Sequence, residues 1–201
     1  MHIMKNIWDG RYSAKEYIYG EAPNVFFKDH LQKLKPGNII LPCEGEGRNA
    51  VYAASKGWAV NAFDASHAGK IKALQLADKK GVAIDYKIED ATTAEYPPNS
   101  ADAVAFIYAH FAPDARKNIH QKAISWLKPG GRIILEAFNT QQLQNTSGGP
   151  KDLSLLYTEE MLQDDFKELK IEYIETIQTV LAEGKYHQGI ADIIRFTGIK
   201  I

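Results

Sequence analysis

At 201 residues the chain is long enough to core one α/β domain and too short for two comfortable ones. Hydrophobic residues make up 45% and charged residues 24%, an ordinary globular composition. Lys and Arg (24) nearly balance Asp and Glu (25), so no overall field favours nucleic acid or an anionic membrane.

Residues 1–36 read as a polar-aromatic arm carrying Tyr12, Tyr17 and Tyr19, with no apolar core of signal-peptide length. From residue 37 onward, short apolar runs alternate with helical ones. Strands are predicted at Asn38–Leu41, Ala59–Phe63, Ala83–Ile88, Ala103–Tyr108 and Arg132–Phe138. They are apolar on both faces, as strands covered by helices on both sides should be. Helices are predicted at Arg48–Lys56, His67–Lys80 and Asp114–Leu127, stopped by Gly57, Gly81 and Pro129-Gly130-Gly131. This alternation implies a parallel, doubly wound sheet with right-handed crossovers. The polar, glycine-rich segment Gln141–Asp152 has the character of a mobile flap. After a helix near Thr158–Phe166 come two long β-rich runs, Ile171–Leu181 and Gln188–Gly198. Only residues 182–187 join them, and a link so short requires antiparallel neighbours. The single cysteine, Cys43, excludes an internal disulfide and fits a reducing compartment. No run approaches ~20 apolar residues, so a soluble cytoplasmic protein of one domain, 1–201, is expected.

The stretch most informative about function is LPCEGEGRNAVYAASKG, residues 41 to 57. Gly45 and Gly47 stand between a buried strand and a helix, where they permit unusual backbone angles and let a ligand approach without meeting a Cβ. The following helix offers its N-terminal amides to a polar group. No Lys-Ser or Lys-Thr follows, which excludes a Walker A loop. Asp64 ends the second strand 19 residues after Gly45, where an α/β nucleotide fold places a carboxylate for ribose hydroxyls. The alternative role for Asp64 is a cap on the helix beginning at Ser66-His67. The loop alone does not separate a dinucleotide from S-adenosylmethionine. Against a dinucleotide stand the lack of a second domain and the antiparallel terminal hairpin. The Tyr52/Lys56 pair also lies on the helix next to the loop, where it reads as core and surface.

Along nearly its full length the chain resembles class I S-adenosylmethionine-dependent methyltransferases. It is most similar to the small bacterial group of tellurite-resistance and thiopurine-type enzymes. The resemblance is carried by Trp8-Asp9-Gly10-Arg11-Tyr12, Tyr19-Gly20-Glu21-Ala22-Pro23-Asn24 and Gly45-Glu46-Gly47-Arg48-Asn49. Phe63-Asp64-Ala65-Ser66, Glu89-Asp90-Ala91, Leu127-Lys128-Pro129-Gly130-Gly131 and the ending from Glu183 to Arg195 complete it. It implies an α/β Rossmann-like core over 37–201, with a mainly parallel seven-stranded sheet of order 3-2-1-4-5-7-6 whose last strand is antiparallel. The implied cofactor is S-adenosyl-L-methionine. Its site would comprise Glu44, Gly45, Gly47, Arg48, Asn49, Asp64, Ala65, Asp90, Ala91 and Tyr108, with Asp90 and Ala91 at the adenine. The arm, through Tyr12 and Tyr19, would act as a lid. The sequence departs from the group's first motif: Leu41 stands at its acidic position and Cys43 at its first glycine, with Glu44 available as a substitute carboxylate.

Methyl transfer is a direct displacement that needs alignment, exclusion of water and sometimes removal of a proton. Candidates for the acceptor side are His110, after the fourth strand, and His187, in the hairpin turn; each also reads as a histidine without a role. Tyr12 joins them as a catalytic candidate. Arg195 lies too far along the strand from His187 to share one small acceptor and is expected in a structural ion pair. Lys70, Lys72, Lys79 and Lys80 read as a solvated helix face. No histidine spacing suggests a metal, and no nucleic-acid or membrane partner is expected. The expected partner is a small acceptor such as a thiol or chalcogen oxyanion, acted on by a monomer or homodimer. The alternatives are an adenosyl-ligand-binding protein without turnover and a dinucleotide-dependent oxidoreductase.

Overall fold

The computed structural model describes the backbone of residues 2–201 and the side chains of residues 7–201. Seven strands form one sheet: β1 (Asn38–Pro42), β2 (Ala59–Asp64), β3 (Asp85–Ile88), β4 (Ala101–Ile107), β5 (Leu127–Phe138), β6 (Leu169–Glu183) and β7 (His187–Lys200). Their order is β3-β2-β1-β4-β5-β7-β6. The first five pair in parallel, and β7 runs antiparallel to both β5 and β6. The order expected from the resemblance is the order found.

The apolar runs explain the layering. Ile39, Ile40 and Leu41 of β1 are buried on alternating sides, so both faces of the sheet need cover. On one side Phe26, Phe27 and Leu31 of α2 (Val25–Leu31) and Ala50 and Ala53 of α3 (Arg48–Ser55) pack with Leu41 and Ala62. On the other, Ile119 and Ala123 of α5 (Pro113–Trp126) and Leu162 of α6 (Glu159–Asp165) pack with Val104, Phe106 and Phe196. The helices α1 (His2–Tyr12) and α4 (His67–Lys79) contact one another beside the end of β2. At seven residues, α2 and α6 are too short to stand alone, and side-chain caps fix their starts. Asn24 accepts from Phe27 N and Thr158 from Met161 N.

Three expectations are corrected. Pro129-Gly130-Gly131 does not stop α5, which ends at Trp126; it lies inside β5, where the register against β4 shifts and Gly130 takes φ +82°. The segment after β5 is tethered: Gln142 is fully buried and its amide donates to Ser147 Oγ and Gly148 O. Lys72 does not belong to a solvated face. It is buried, and its ammonium sits 2.5 Å from Glu46 Oε1 and 2.5 Å from Glu16 O. Among the described residues no helix is long and apolar enough to cross a membrane.

Candidate active site

Strands β1 to β4 run the same way, so the residues after their C-terminal ends share one edge of the sheet. β1 pairs with both β2 and β4, making this the point where strand order reverses and where open α/β sheets bind ligands. The edge collects Cys43 to Asn49 after β1, Asp64 and Ala65 at β2, Asp90 and Ala91 after β3, and Tyr108 to His110 after β4. His187 arrives from the β6–β7 turn.

The glycine loop is built on left-handed backbone. Cys43, Gly45 and Gly47 have φ of 55°, 61° and 84°, conformations that favour glycine at the latter two and strain the cysteine. A Cβ at Gly45 would fall 2.6 Å from Tyr12 Oη, and one at Gly47 would fall 2.5 Å from Ala73 Cβ. Neither position admits a side chain without displacement. Burial pushes the Cys43 thiol up, so it is no ready nucleophile.

Asp64 lies against this loop. Its carboxylate accepts from Gly45 N at 3.1 Å and from Ser66 N at 2.8 Å, while Ser66 itself caps α4 through Gly69 N. Burial raises its carboxyl to about 6 despite these amides. Asp90 accepts from Thr92 N and Thr92 Oγ1 in the turn after β3, next to buried Ala91.

Other loop residues hold structure together. Glu44 accepts from Asn49 N and Ala50 N at 2.8 and 2.7 Å, capping the start of α3, and burial raises it to about 7. Asn49 Oδ1 accepts from Asn24 N, and Arg48 donates to Tyr19 O and Glu183. Glu46 accepts from Ile18 N as well as Lys72. The loop thereby fastens the arm across the sheet edge. Tyr12 is buried beside Gly45, stacked on Trp8, and Asp9 accepts from Ser66 Oγ and Ala68 N.

The acceptor candidates separate. His110 has both ring nitrogens engaged: Nδ1 lies 2.7 Å from Leu155 O, and Nε2 accepts from Phe138 N at 3.3 Å. One tautomer satisfies both bonds, and burial lowers its pKa to about 4. His110 is therefore a neutral connector rather than a free base. His187 is no exposed turn residue; it is buried between Tyr19 and Tyr108, each 4.4 Å away between ring centroids, and Phe138 at 5.3 Å. Tyr108, at φ +54°, holds its hydroxyl on Glu136. Arg195 pairs with the same Glu136 at 2.6 Å, the structural ion pair expected of it.

Sequence spacing assigns no role to Glu136, Glu183 or Asn24. Asn24 donates to Glu136 and Glu183, so these groups form one buried network behind His187. A carboxylate flanking a tight turn opposite a histidine was the available signal for Glu183. Two open clefts, of about 300 and 370 Å³, lie elsewhere: one beside Asn139 and Glu159, the other beside His30 and Tyr173. Neither touches the glycine loop, where Tyr12 fills the approach. Among the described residues no cluster of His, Cys, Asp or Glu is arranged to hold a metal.

Sheet order, the antiparallel β7 and the glycine loop after β1 together define the Rossmann-like methyltransferase fold. Comparison with known proteins agrees: residues 41–131, from the end of β1 into β5, match the methyltransferase domain family. S-adenosylmethionine is the cofactor of such domains. Phosphoethanolamine N-methyltransferase of Triticum aestivum is 23% identical over 164 residues, 81% of this chain but 30% of that protein. The chain therefore spans under a third of the length of this curated relative. TehB from Haemophilus influenzae superposes with a TM-score of 0.73 at 16% identity, over 98% of this chain and 67% of that one. A chain from structural work on conversion of a disulfide bond into a thioacetal group during echinomycin biosynthesis gives 0.81 at 17%, over 98% and 92%.

Proposed function

We propose that the protein transfers a methyl group from S-adenosylmethionine to a small-molecule nucleophile at the edge formed by β1, β2, β4 and the β6–β7 turn. The observation that carries this is the left-handed Gly45–Gly47 loop with the Asp64 carboxylate 3.1 Å from Gly45 N, inside the segment matching a methyltransferase domain.

The residues fit the cofactor. Asp64 accepts only, which suits two ribose hydroxyls. Asp90 and the Ala91 amide offer an acceptor and a donor for the adenine edge. Tyr12 and Tyr19 cover the loop and exclude water as a lid. When bound, S-adenosylmethionine supplies a methyl carbon already activated by a sulfonium. The protein's own work is then alignment and removal of the acceptor's proton, for which His187 is the candidate. The acceptor class is a thiol, a chalcogen oxyanion or a similar small nucleophile, as the resemblance to the tellurite-resistance and thiopurine-type enzymes suggests.

Calorimetry tests the cofactor. S-adenosylmethionine and S-adenosylhomocysteine should bind, with NAD and ATP far weaker; tight NAD binding without either adenosyl ligand refutes the reading. His187→Ala should cut turnover on the true acceptor while changing cofactor affinity less than about twofold, under ~0.5 kcal/mol. Undiminished turnover in that variant removes His187 from the reaction.

A further inference from the structure

We infer that Glu183 is the positioning residue of a His187 proton acceptor, which suits the site to a neutral, protic nucleophile, a thiol or a hydroxyl. The inference rests on the methyl-transfer reading above. Glu183 and His187 are direct partners across the β6–β7 turn, with Nδ1 3.3 Å from Glu183 Oε2. An ionised carboxylate only accepts, so Nδ1 carries the hydrogen and Nε2 keeps its lone pair. Among the described residues no group hydrogen-bonds Nε2. Gly148 faces it: a Cβ there would lie 2.8 Å from His187 Cδ2 and 3.3 Å from Nε2. The rest of the ring is enclosed by Tyr19, Tyr108 and Phe138.

Glu183 is itself held. Arg48 donates to its Oε2 at 2.8 Å and Asn24 to its Oε1 at 3.2 Å. Although burial opposes ionisation, the hydrogen bond from His187 and the charge of Arg48 bring its carboxyl down to about 2. Burial lowers the His187 pKa, partly offset by Glu183, so the resting ring is neutral and Arg48 is the charge that keeps Glu183 ionised. The charged and titratable groups facing the ring are Glu183 on β6, Arg48 on α3, Glu136 on β5, Tyr108 and His110 after β4, and Tyr19 of the arm, whose two phenols stay neutral because burial raises them. The two carboxylates favour the imidazolium, while Arg48 opposes it.

In the step, the acceptor's proton moves to Nε2 and its electron pair forms the new bond to the methyl carbon. The methyl–sulfur pair stays on the sulfur of the donor, which leaves as a neutral thioether, and Glu183 meets the imidazolium charge. An acceptor already ionised gains nothing from this base.

Three measurements test the arrangement. Nitrogen-15 NMR of the histidines should find His187 with its hydrogen on Nδ1; a hydrogen on Nε2 overturns the proposal in the wild-type protein alone. Glu183→Gln should shift the His187 titration to lower pH, and Glu183→Asp should restore it. An unchanged titration in a folded Glu183→Gln protein also overturns it. With 2-mercaptoethanol, protonated at neutral pH, and 4-nitrobenzenethiol, ionised there, Glu183→Gln should slow transfer to the first at least about tenfold more than to the second. Equal slowing assigns Glu183 a purely structural role. If wild-type protein fails to bind S-adenosylhomocysteine in calorimetry, the parent reading fails instead.

Discussion

Glu46 and Lys72 form a buried ion pair, 3% and 9% exposed in their side chains, that ties the glycine loop to α4 and the arm. Glu46→Leu would leave the Lys72 ammonium with only Glu16 O and the Tyr17 ring, 4.9 Å away, and would strip Ile18 N of its acceptor. Removing one partner of a buried pair costs about 3–5 kcal/mol, because the other charge stays desolvated. That is a third or more of a typical folding free energy and lowers Tm by about 10 °C for a chain of this size. Lys72→Met should cost a similar amount. The double variant should lose far less than the sum, since an apolar pair of like volume needs no compensation. Urea unfolding of the four proteins gives the coupling directly. Additivity within about 0.5 kcal/mol would refute the reasoning and show that the pair is effectively solvated.

Asp64 has a folded pKa raised to about 6, so the folded chain holds a proton that the unfolded chain releases from about 4 upward. Its contribution is present at low pH and is lost as pH rises to about 6, so Asp64→Asn should flatten that fall in urea unfolding; an identical pH profile refutes this. Asp64→Ala should weaken S-adenosylhomocysteine binding more than tenfold in calorimetry, since bonds to a charged acceptor are worth roughly 1.5–3 kcal/mol each; unchanged affinity would leave Asp64 a purely local cap. Asp90→Ala should weaken adenosine-containing ligands selectively, with Glu89→Ala as control, and equal negligible effects would remove Asp90 from the adenine site. Gly184 has φ +67°, and a Cβ there would meet Ile18 O at 2.2 Å and Gly20 N at 2.6 Å. Gly184→Ala should therefore lift the arm from the hairpin and speed limited proteolysis within residues 13–24. Cleavage at the wild-type rate would show the clash relieved elsewhere.

Arg48 starts the helix after the glycine loop, and its guanidinium reaches both the arm at Tyr19 O and the hairpin at Glu183. Residues 41–49 and the β6–β7 turn are thus joined directly, and the same guanidinium holds the arm, although over a hundred positions separate loop and turn in the chain.

What the sequence by itself determined was local and periodic. The doubly apolar runs of β1 and β4 read as buried strands because a period-two pattern with no polar face has one physical solution, cover on both sides. Gly45, Gly47 and Asp64 were legible because backbone conformation and strand-end position are short-range properties. The antiparallel hairpin followed from a connection too short to cross over. Tertiary structure alone decided the partners. Lys72 looked solvated among other lysines until Glu46, 26 positions away, was brought beneath it. His110 looked free until Leu155 O and Phe138 N took its two nitrogens. His187 read as an acceptor-side candidate or a histidine without a role, and only the fold laid Tyr19 of the arm across it. In each case the role of a polar group is set by which distant atoms satisfy it once water has been excluded, and sequence spacing does not encode that distance.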